Sequence, residues 1–536
     1  MKLFRILYII SILLPLNIFG QQTNNTRPRL IVGIMVDGLQ QKHIDLLWTY
    51  FDSGGFKKII EQGTGFENMS YNIVSAGNAS DIATVMSGSV PYYHGIAGNL
   101  HYSRSNDKVQ SVLFDDQEIG IGTKETFSAH NLLTSTLNDE IVMASGNKSK
   151  SYAVAIDAEA AIMMGGHTAN SVAWIDDTFH KWVTTGYYRE GLNRWADEMN
   201  VGGRFRSYST RKWEPLYSVN TYVSSATDNR KNGFEYDPME KVSKNGSTTI
   251  LKRTAAANAL VADLGLKIFT EEKLGTGPNT DILMLQFTVR TPNEKLFSMQ
   301  TLEKEDIYLR LDKEIQFLLQ QIEARTGDDK TLIYMFGNQN DVHSPNELGK
   351  NKVPAGYFNA SRSMALVNTY LMAIYGQDRW IEGYYGKNIF LNKKKIEEKK
   401  LNFREVQQQV ADFMLEFEGV HSAFTSTQIL TMGGNTSSEM LRLRNSSHKS
   451  SAGDVVITLL PGWLEVDDKM NPVGESNVII SYTPAYFYGW NVKKKTINKP
   501  YQVTDLAPTI SRMLNIPMPN AVVGSPVTEM LETIDN

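Results

Sequence analysis

Short, continuous apolar runs bounded by turn or polar residues recur along the chain. Such runs are typical of buried parallel strands, because a strand covered on both faces shows little alternation of polar and apolar positions. The clearest runs occupy residues 30–36, 152–156, 282–287, 331–336, 455–460 and 478–481. Between them lie segments such as 307–322, whose apolar side chains recur three and four positions apart, as on one face of a helix. This alternation predicts an α/β fold with a doubly wound, mostly parallel central sheet and helices on both faces.

The first 20 residues are typical of a signal peptide. Lys2 and Arg5 precede an apolar run at 6–19, which is too short and too early for a membrane-spanning helix. We expect cleavage near Gly20, a flexible lead at 21–28, and export to the periplasm or the outer-membrane periphery with no transmembrane segment left after cleavage. An uncleaved membrane anchor is the alternative interpretation.

Composition narrows the chemistry that is possible. The chain has no cysteine, which excludes disulfide bonds, thiolate catalysis, thiolate metal ligands and lipid attachment to an N-terminal cysteine. Its formal net charge is −4, and it lacks the basic runs that follow a nucleic acid backbone. We therefore expect no nucleic acid partner.

A single large domain is expected over residues 29–530, because large α/β folds can hold one core with insertions. The stretch 174–246 is rich in aromatic, Ser, Thr and Asn residues and has weak periodicity, so we interpret it as a cap inserted over the sheet. Its tryptophans are Trp174, Trp182, Trp195 and Trp213. They could form a protein interface or could pack the cap onto the sheet, and the sequence is compatible with both.

Several segments resemble those of one known family in order and spacing. LIVGIMVDGLQ, which contains Asp37, is similar to the opening segment of the alkaline phosphatase superfamily. SGSVPYYHGIAGN at 87–99 is similar to TGSVPxxHGIxGN of the branch that holds bacterial periplasmic alkaline phosphatases and type I phosphodiesterases. Further similar segments are AIMMGGH, KWEPLYS, IYLRLDKEI, VPAGYFN, SAGDVVITLLPGW and VTDLAPTISRMLNIP. The resemblance covers most of the mature chain and implies an alkaline phosphatase-like fold.

The resemblance also implies a set of metal-binding positions. The superfamily binds two zinc ions through three Asp and three His, and the metals stabilise the attacking and leaving oxygens. Of these six positions, only Asp37 keeps a ligand. The other positions fall on Thr291, Lys295, Asn338, Gln339 and Tyr482.

The positions that would contact phosphate are changed as well. The family's Thr or Ser nucleophile falls on Asn78, whose amide cannot replace a hydroxyl. A Lys and an Arg that hold the phosphoryl group in the family fall on Asp157 and Glu159, so that cations are replaced by anions. Asn99 matches a phosphate-contacting Asn and is retained.

From these losses we expect an exported alkaline phosphatase-like pseudoenzyme with no catalytic residues and no zinc. It would serve as a binding or scaffold component of a cell-envelope complex, with an envelope protein as its partner. The contact surface would be the cap or the segment 338–351.

Two alternatives keep the chain as an enzyme. The first is a phosphatase-like or phosphodiesterase-like hydrolase with a non-standard site. Its carboxylates Asp37, Asp157 and Glu159 would hold calcium or magnesium, or would transfer protons without a metal. The second is an ordinary two-zinc site hidden by an alignment shift that brings in Asp341 and His343.

Overall fold

The computed structural model describes residues 27–74, 77–226, 230–241, 249–292, 301–338, 344–431, 437–470, 473 and 481–531. The predicted signal peptide at 1–20 and most of the predicted lead at 21–28 lie outside the described residues. The predicted strand at 478–481 does so too, apart from its last residue.

Strands and helices are interspersed along the described residues. The strands are β1 (Leu30–Asp37), β2 (Thr64–Ser70), β3 (Leu100–Ser103), β4 (Lys108–Ser111), β5 (Gly120–Ile121), β6 (Ser151–Ala155), β7 (Ser171–Ile175), β8 (Trp182–Thr185), β9 (Asp281–Thr288), β10 (Thr331–Gly337), β11 (Gly356–Asn359), β12 (Ile381–Tyr385), β13 (Asn388–Leu391), β14 (Val420–Thr425), β15 (Val455–Leu459), β16 (Trp463–Val466), β17 (Tyr482–Gly489) and β18 (Lys495–Ile497). The helices are α1 (Gln41–Leu47), α2 (Phe56–Gln62), α3 (Asn78–Ser87), α4 (Pro91–His94), α5 (Leu137–Ala144), α6 (Ala158–Gly165), α7 (Arg194–Val201), α8 (Arg204–Ser209), α9 (Ala255–Glu271), α10 (Leu302–Thr326), α11 (Pro345–Lys350), α12 (Ala360–Tyr375), α13 (Lys393–Glu398), α14 (Phe403–Met414), α15 (Ser426–Leu430), α16 (Ser438–Ser446), α17 (Leu506–Leu514) and α18 (Thr528–Leu531).

The main sheet has ten strands in the order β18-β2-β17-β10-β1-β9-β6-β7-β8-β5. The five central strands, from β10 to β7, pair in parallel, and β17 and β8 flank them antiparallel. The predicted doubly wound, mostly parallel sheet is therefore confirmed. All eight residues of β1 are buried, as expected of a strand with helices on both sides.

Apolar side chains of β1 alternate between two cores, one on each face of the sheet. Val32 and Ile34 join the core that contains α9 and α10, whereas Ile31 and Met35 join the core that contains α3 and α17. This arrangement leaves the carboxyl ends of the strands as the edge where polar side chains can gather.

A second, smaller sheet of four strands, in the order β12-β13-β15-β14, has a hydrophobic core of its own. The apolar run 455–460 forms β15 of this sheet and pairs antiparallel with β13 and β14. The prediction that this run is a parallel strand was wrong. A five-residue apolar strand has the same pattern in either kind of sheet when both faces are covered.

The tryptophans of the predicted cap are buried. The exposed fraction is 1% for Trp174, 0% for Trp182, and 3% for both Trp195 and Trp213. Trp174 and Trp182 lie in β7 and β8 of the main sheet, so the predicted cap overlaps two strands of that sheet. Trp195 and Trp213 pack into the core that contains α9 and α10. The four side chains therefore do not form an exposed aromatic surface. Within the described ranges, no helix has the length and apolar character needed to cross a bilayer.

Buried carboxylates at the start of α10 bind the cap segment. The carboxylate of Asp306 is fully buried. It accepts hydrogen bonds from the indole N–H of Trp213, the backbone N–H of Leu216 and the hydroxyl of Tyr222, each at 2.6 Å. It also pairs with Arg310 at 2.6 Å. These contacts connect a helix of the main core to a segment with little regular structure of its own.

Two neighbouring carboxylates of α10 extend this connection. Glu305 accepts the backbone N–H groups of Val223 and Ser224 at 2.7 and 2.8 Å. Glu303 forms a two-point ion pair with Arg230, at 2.6 and 2.9 Å. The cap is thus held by charge-assisted hydrogen bonds as well as by apolar packing.

Candidate active site

Asp37 lies at the carboxyl end of β1, in the middle of the parallel strands, and is 6% exposed. Its Oδ1 accepts a hydrogen bond from Nε of Arg290 at 2.8 Å, as part of an ion pair. Arg290 follows β9, the strand next to β1. The Arg290 guanidinium therefore places a positive charge beside Asp37, the one residue among the six predicted metal-binding positions that is still a possible ligand.

Asn338 connects Asp37 to the start of α3. Its side-chain nitrogen Nδ2 donates to Oδ1 of Asp37 at 2.8 Å and to Oδ1 of Asn78 at 2.6 Å. Its Oδ1 accepts the backbone N–H of Gly38 at 2.8 Å. Asn338 is fully buried, so this network fixes the relative positions of β1, β10 and α3.

Asn99 supports the first turn of α3. Its Oδ1 accepts the backbone N–H of Ala79 at 2.8 Å. Directly before Asn78, Gly77 has a φ of 126°, a conformation that favours glycine. A Cβ atom on Gly77 would lie 2.5 Å from Cγ of Asn99, so both backbone conformation and space require glycine at this position.

We expect Gly77→Ala to destabilise the protein by about 1–3 kcal/mol, through backbone strain and the forced displacement of Asn99. Thermal unfolding measures the loss. Gly191→Ala is the matched control, because a Cβ there meets nothing within 4 Å. A Gly77→Ala protein that melts together with the wild type would contradict this account.

Asp157 and Glu159 lie at the carboxyl end of β6, on the other side of β9 from Asp37. Lys252 pairs with Asp157 at 3.2 Å and with Asp177 at 3.0 Å. The sequence has anions here in place of the family's Lys and Arg. Their negative charge is partly compensated, because Lys252, from the segment after the predicted cap, pairs with Asp157 and Asp177.

Glu159 has a strongly altered acidity. Burial, together with the nearby negative charge of Asp157, raises its pKa to about 7, and Lys252 acts in the opposite direction. A carboxyl group with this pKa exists in both protonation states near neutral pH, which is the property required of a general acid or base.

Of the remaining predicted positions, the structure describes Thr291 and Tyr482. Thr291 is buried beside Arg290, and Tyr482 begins β17 with 42% of its surface exposed. Lys295 and Gln339 lie outside the described residues, as do Asp341 and His343 of the shifted alignment.

The residues described around Asp37 do not fit a zinc centre. Its Oδ1 is contacted by a guanidinium and an amide N–H, which are donors and cannot coordinate a cation. In the part of the chain that the structure describes, no three His, Asp or Glu side chains converge on one point. The proposed calcium or magnesium ligands Asp37, Asp157 and Glu159 are likewise not brought together there.

Two residues of the site were missed by sequence reasoning. Arg290 directly precedes the lost ligand position Thr291 in FTVRTP. The resemblance places Thr291 and Asp37 at the same site, so a cation next to Thr291 was a usable signal. Lys252 had no comparable signal, because it lies far in sequence from Asp157 and outside the segments that carry the resemblance.

Comparison with known proteins covers nearly the whole chain. It is 27% identical over 529 residues to alkaline phosphatase PhoV of Synechococcus elongatus, covering 94% of this chain and 93% of the relative. It is 26% identical over 545 residues to alkaline phosphatase PafA of Elizabethkingia meningoseptica, covering 98% of both chains. The crystal structure of wild-type PafA matches with a TM-score of 0.83 at 24% identity, covering 94% of this chain and 99% of the other, which establishes the fold.

These relatives correct two expectations. The prediction of a pseudoenzyme that acts as a binding or scaffold component was wrong, because these two relatives, which match over more than nine tenths of each chain, are named alkaline phosphatases. The prediction that zinc is absent is overturned with it. That prediction followed from the replacement of five of the six metal-binding positions, whereas these relatives bear the name of the branch for which the resemblance implies zinc. The finding favours the alternative of a hydrolase.

The family is established by a match to most of the chain. The profile of type I phosphodiesterase / nucleotide pyrophosphatase matches residues 31–486, which span the central strands, the network around Asp37 and the smaller sheet. The resemblance seen in the sequence segments is confirmed by this match and by the shared fold. The chain belongs to the type I phosphodiesterase / nucleotide pyrophosphatase family of the alkaline phosphatase superfamily.

Proposed function

We propose that this protein is a hydrolase of phosphoric esters with a non-standard site at the carboxyl ends of β1, β9 and β6. The observation that carries the proposal is the Arg290 guanidinium held on Asp37 and connected through Asn338 to the first residue of α3. The fold and the names of the full-length relatives support the same class of substrate.

Arg290 and α3 are suited to bind a phosphoryl group. A guanidinium offers five donors in one plane and matches phosphate oxygens in two-point contacts. The amino end of a helix carries a partial positive charge and backbone N–H groups that favour anions. Asp37 and Asn338 orient Arg290 before substrate arrives, so that little reorganisation is needed when charge develops on the phosphoryl oxygens.

Glu159 is the residue we assign to proton transfer. In its ionised form the carboxylate accepts a proton from a water molecule as the water oxygen bonds to phosphorus. The bond from phosphorus to the ester oxygen breaks, and the leaving oxygen takes a proton from solvent. The products are an alcohol and phosphate, or a monoester when the substrate is a diester. Asn78 takes no part as a nucleophile, because its side chain is an amide.

This assignment predicts the pH dependence of turnover. The carboxylate form of Glu159 is the active form, so kcat/KM is expected to rise as pH increases through about 7 and then to level off. Glu159→Gln should remove this rise and lower the rate by about two orders of magnitude or more. Glu140→Gln is the matched control, because burial also raises the pKa of Glu140 although it lies in α5, away from this edge. A profile unchanged in Glu159→Gln would refute the role.

Hydrolysis of aryl phosphate monoesters and diesters by the purified mature protein tests the function. Parallel assays follow dialysis against a chelator and then addition of zinc, calcium or magnesium, with the bound metal measured in each sample. Turnover that Arg290 and Glu159 variants abolish supports the proposal. Absence of turnover in every metal condition would refute it.

We also infer that the protein acts in the cell envelope, in the periplasm or at the outer-membrane periphery. Residues 1–20 have the pattern of a signal peptide, and this pattern supports the inference. Fractionation of cells that express the full chain, with the mature amino terminus determined by mass spectrometry, checks both the location and the predicted cleavage near Gly20.

A further inference from the structure

Lys252 is fixed in place by the segment that follows the cap. It lies in a short 3-10 helix, Leu251–Arg253, just before α9. The neighbouring Leu251 is buried in the main core with 1% exposure, and the backbone N–H of Thr254 donates to its carbonyl. The backbone that carries the Lys252 ammonium group is therefore held in a fixed position near the carboxyl ends of the strands.

The two carboxylates that contact Lys252 differ in their surroundings. Asp157 is the residue that precedes α6, and the amino end of a helix stabilises a negative charge. Asp177 follows β7 in a loop, and 47% of its side chain is exposed, against 32% for Asp157 and 19% for Lys252. Asp177 is therefore the partner that an incoming anion can replace more easily.

Lys252 faces the same edge as Arg290. Asp157 follows β6 and Arg290 follows β9, and these two strands are parallel neighbours. The carboxylate partners of the two cations lie on opposite sides of β9, with Asp37 at the end of β1 and Asp157 after β6, so the two cations flank the end of β9. An ammonium group has three N–H donors, and the contacts with Asp157 and Asp177 use two of them.

We propose that Lys252 is a substrate-binding residue that contacts the phosphoryl group, with Asp177 as the internal anion that the substrate displaces. The inference rests on the proposed function and deepens it. The family's Lys and Arg positions carry Asp157 and Glu159 here, and Lys252 returns one cation to the same place from a different part of the chain. The exchange of Asp177 for phosphate keeps Lys252 paired with Asp157 throughout.

Binding of inorganic phosphate tests this inference independently of turnover. Titration calorimetry at low salt and neutral pH compares the full mature protein with Lys252→Met, which should bind phosphate about tenfold more weakly through loss of one charge-assisted hydrogen bond. Asp177→Asn removes the competing anion and should tighten binding about threefold or more. Lys212→Met is the matched control, since Lys212 also forms an ion pair, with Glu235, but lies within the predicted cap.

Asp177→Asn keeps the result interpretable if Lys252→Met folds poorly, because damage to the fold cannot tighten binding. Weaker or unchanged binding in Asp177→Asn would overturn the inference, as would phosphate affinity unaffected in a folded Lys252→Met protein. If the wild type binds phosphate in the expected pattern but hydrolyses no ester, the proposed function fails and the role of Lys252 stands. If the wild type hydrolyses esters while both variants bind phosphate like the wild type, only the role of Lys252 fails.

Discussion

Arg290→Met is expected to lower kcat/KM for phosphoric esters by about a hundredfold to a thousandfold. The guanidinium is held in place by its hydrogen bond to Asp37. Removing one preoriented hydrogen-bond donor to the charge that develops on the phosphoryl oxygens lowers the rate by a factor of this size. The substitution also leaves the nearly buried carboxylate of Asp37 with only the amide of Asn338 among its described partners. Steady-state kinetics on a monoester and a diester measure the effect.

Arg290→Lys separates charge from geometry. Lysine keeps the positive charge but offers a point charge in place of the planar fork, so we expect partial activity between that of Arg290→Met and the wild type. A comparison of melting temperatures shows whether either variant loses activity by unfolding. A folded Arg290→Met protein with wild-type kcat/KM would exclude Arg290 from the reaction and remove the main support for the proposed function.

Asp306→Ala is expected to destabilise the attachment of the cap by about 3–5 kcal/mol. The fully buried carboxylate satisfies Trp213, Leu216, Tyr222 and Arg310, and its removal leaves buried donors without an acceptor. Hydrogen exchange at the backbone N–H of Leu216 measures the effect locally, because this group donates directly to Asp306. We expect its protection to fall by two orders of magnitude or more, at about tenfold for each 1.4 kcal/mol.

Glu198→Ala is the matched control for this prediction. Glu198 pairs with Arg194 and Lys267 on the surface, where exposed ion pairs contribute little to stability. Its removal should leave exchange at Leu216 unchanged. Equal protection of Leu216 in Asp306→Ala and the wild type would show that apolar packing alone holds the cap.

The central strands could be predicted from the sequence because their signal is local. The apolar runs at 30–36, 152–156, 282–287 and 331–336 match β1, β6, β9 and β10 to within one residue at each end. A strand buried on both faces needs apolar side chains at nearly every position, and no distant contact changes that requirement. The family resemblance was equally local, since it depended on short segments in a fixed order.

The pairing of strands needed the tertiary structure. The run 455–460 has the same apolar pattern as the central strands, yet it lies in the smaller antiparallel sheet. The sequence also left the role of the cap tryptophans undecided, and burial settled it in favour of packing. Strand pairing and side-chain burial both depend on residues that are distant in sequence. The periodicity of apolar positions along the chain carries no information about those residues.

The identity of each side chain at the candidate site was also available from the sequence. The resemblance placed Asn78, Asp157 and Glu159 at positions that hold a nucleophile and cations in the family, and this placement stays a prediction. The inference that these replacements abolish function was wrong. The replaced positions do not show which other side chains, distant in sequence, lie at the site in the folded protein.

Only the tertiary structure decided the electrostatics of the site. It brought Arg290 to Asp37 and Lys252 to Asp157, pairs that are distant in sequence, and it buried Glu159 enough to raise its pKa to about 7. Charge interactions depend on distances of a few ångströms and on the local exclusion of water, and folding sets both. The sequence by itself therefore determined the fold and the residues present at the sheet edge, whereas folding decided which of their charges meet.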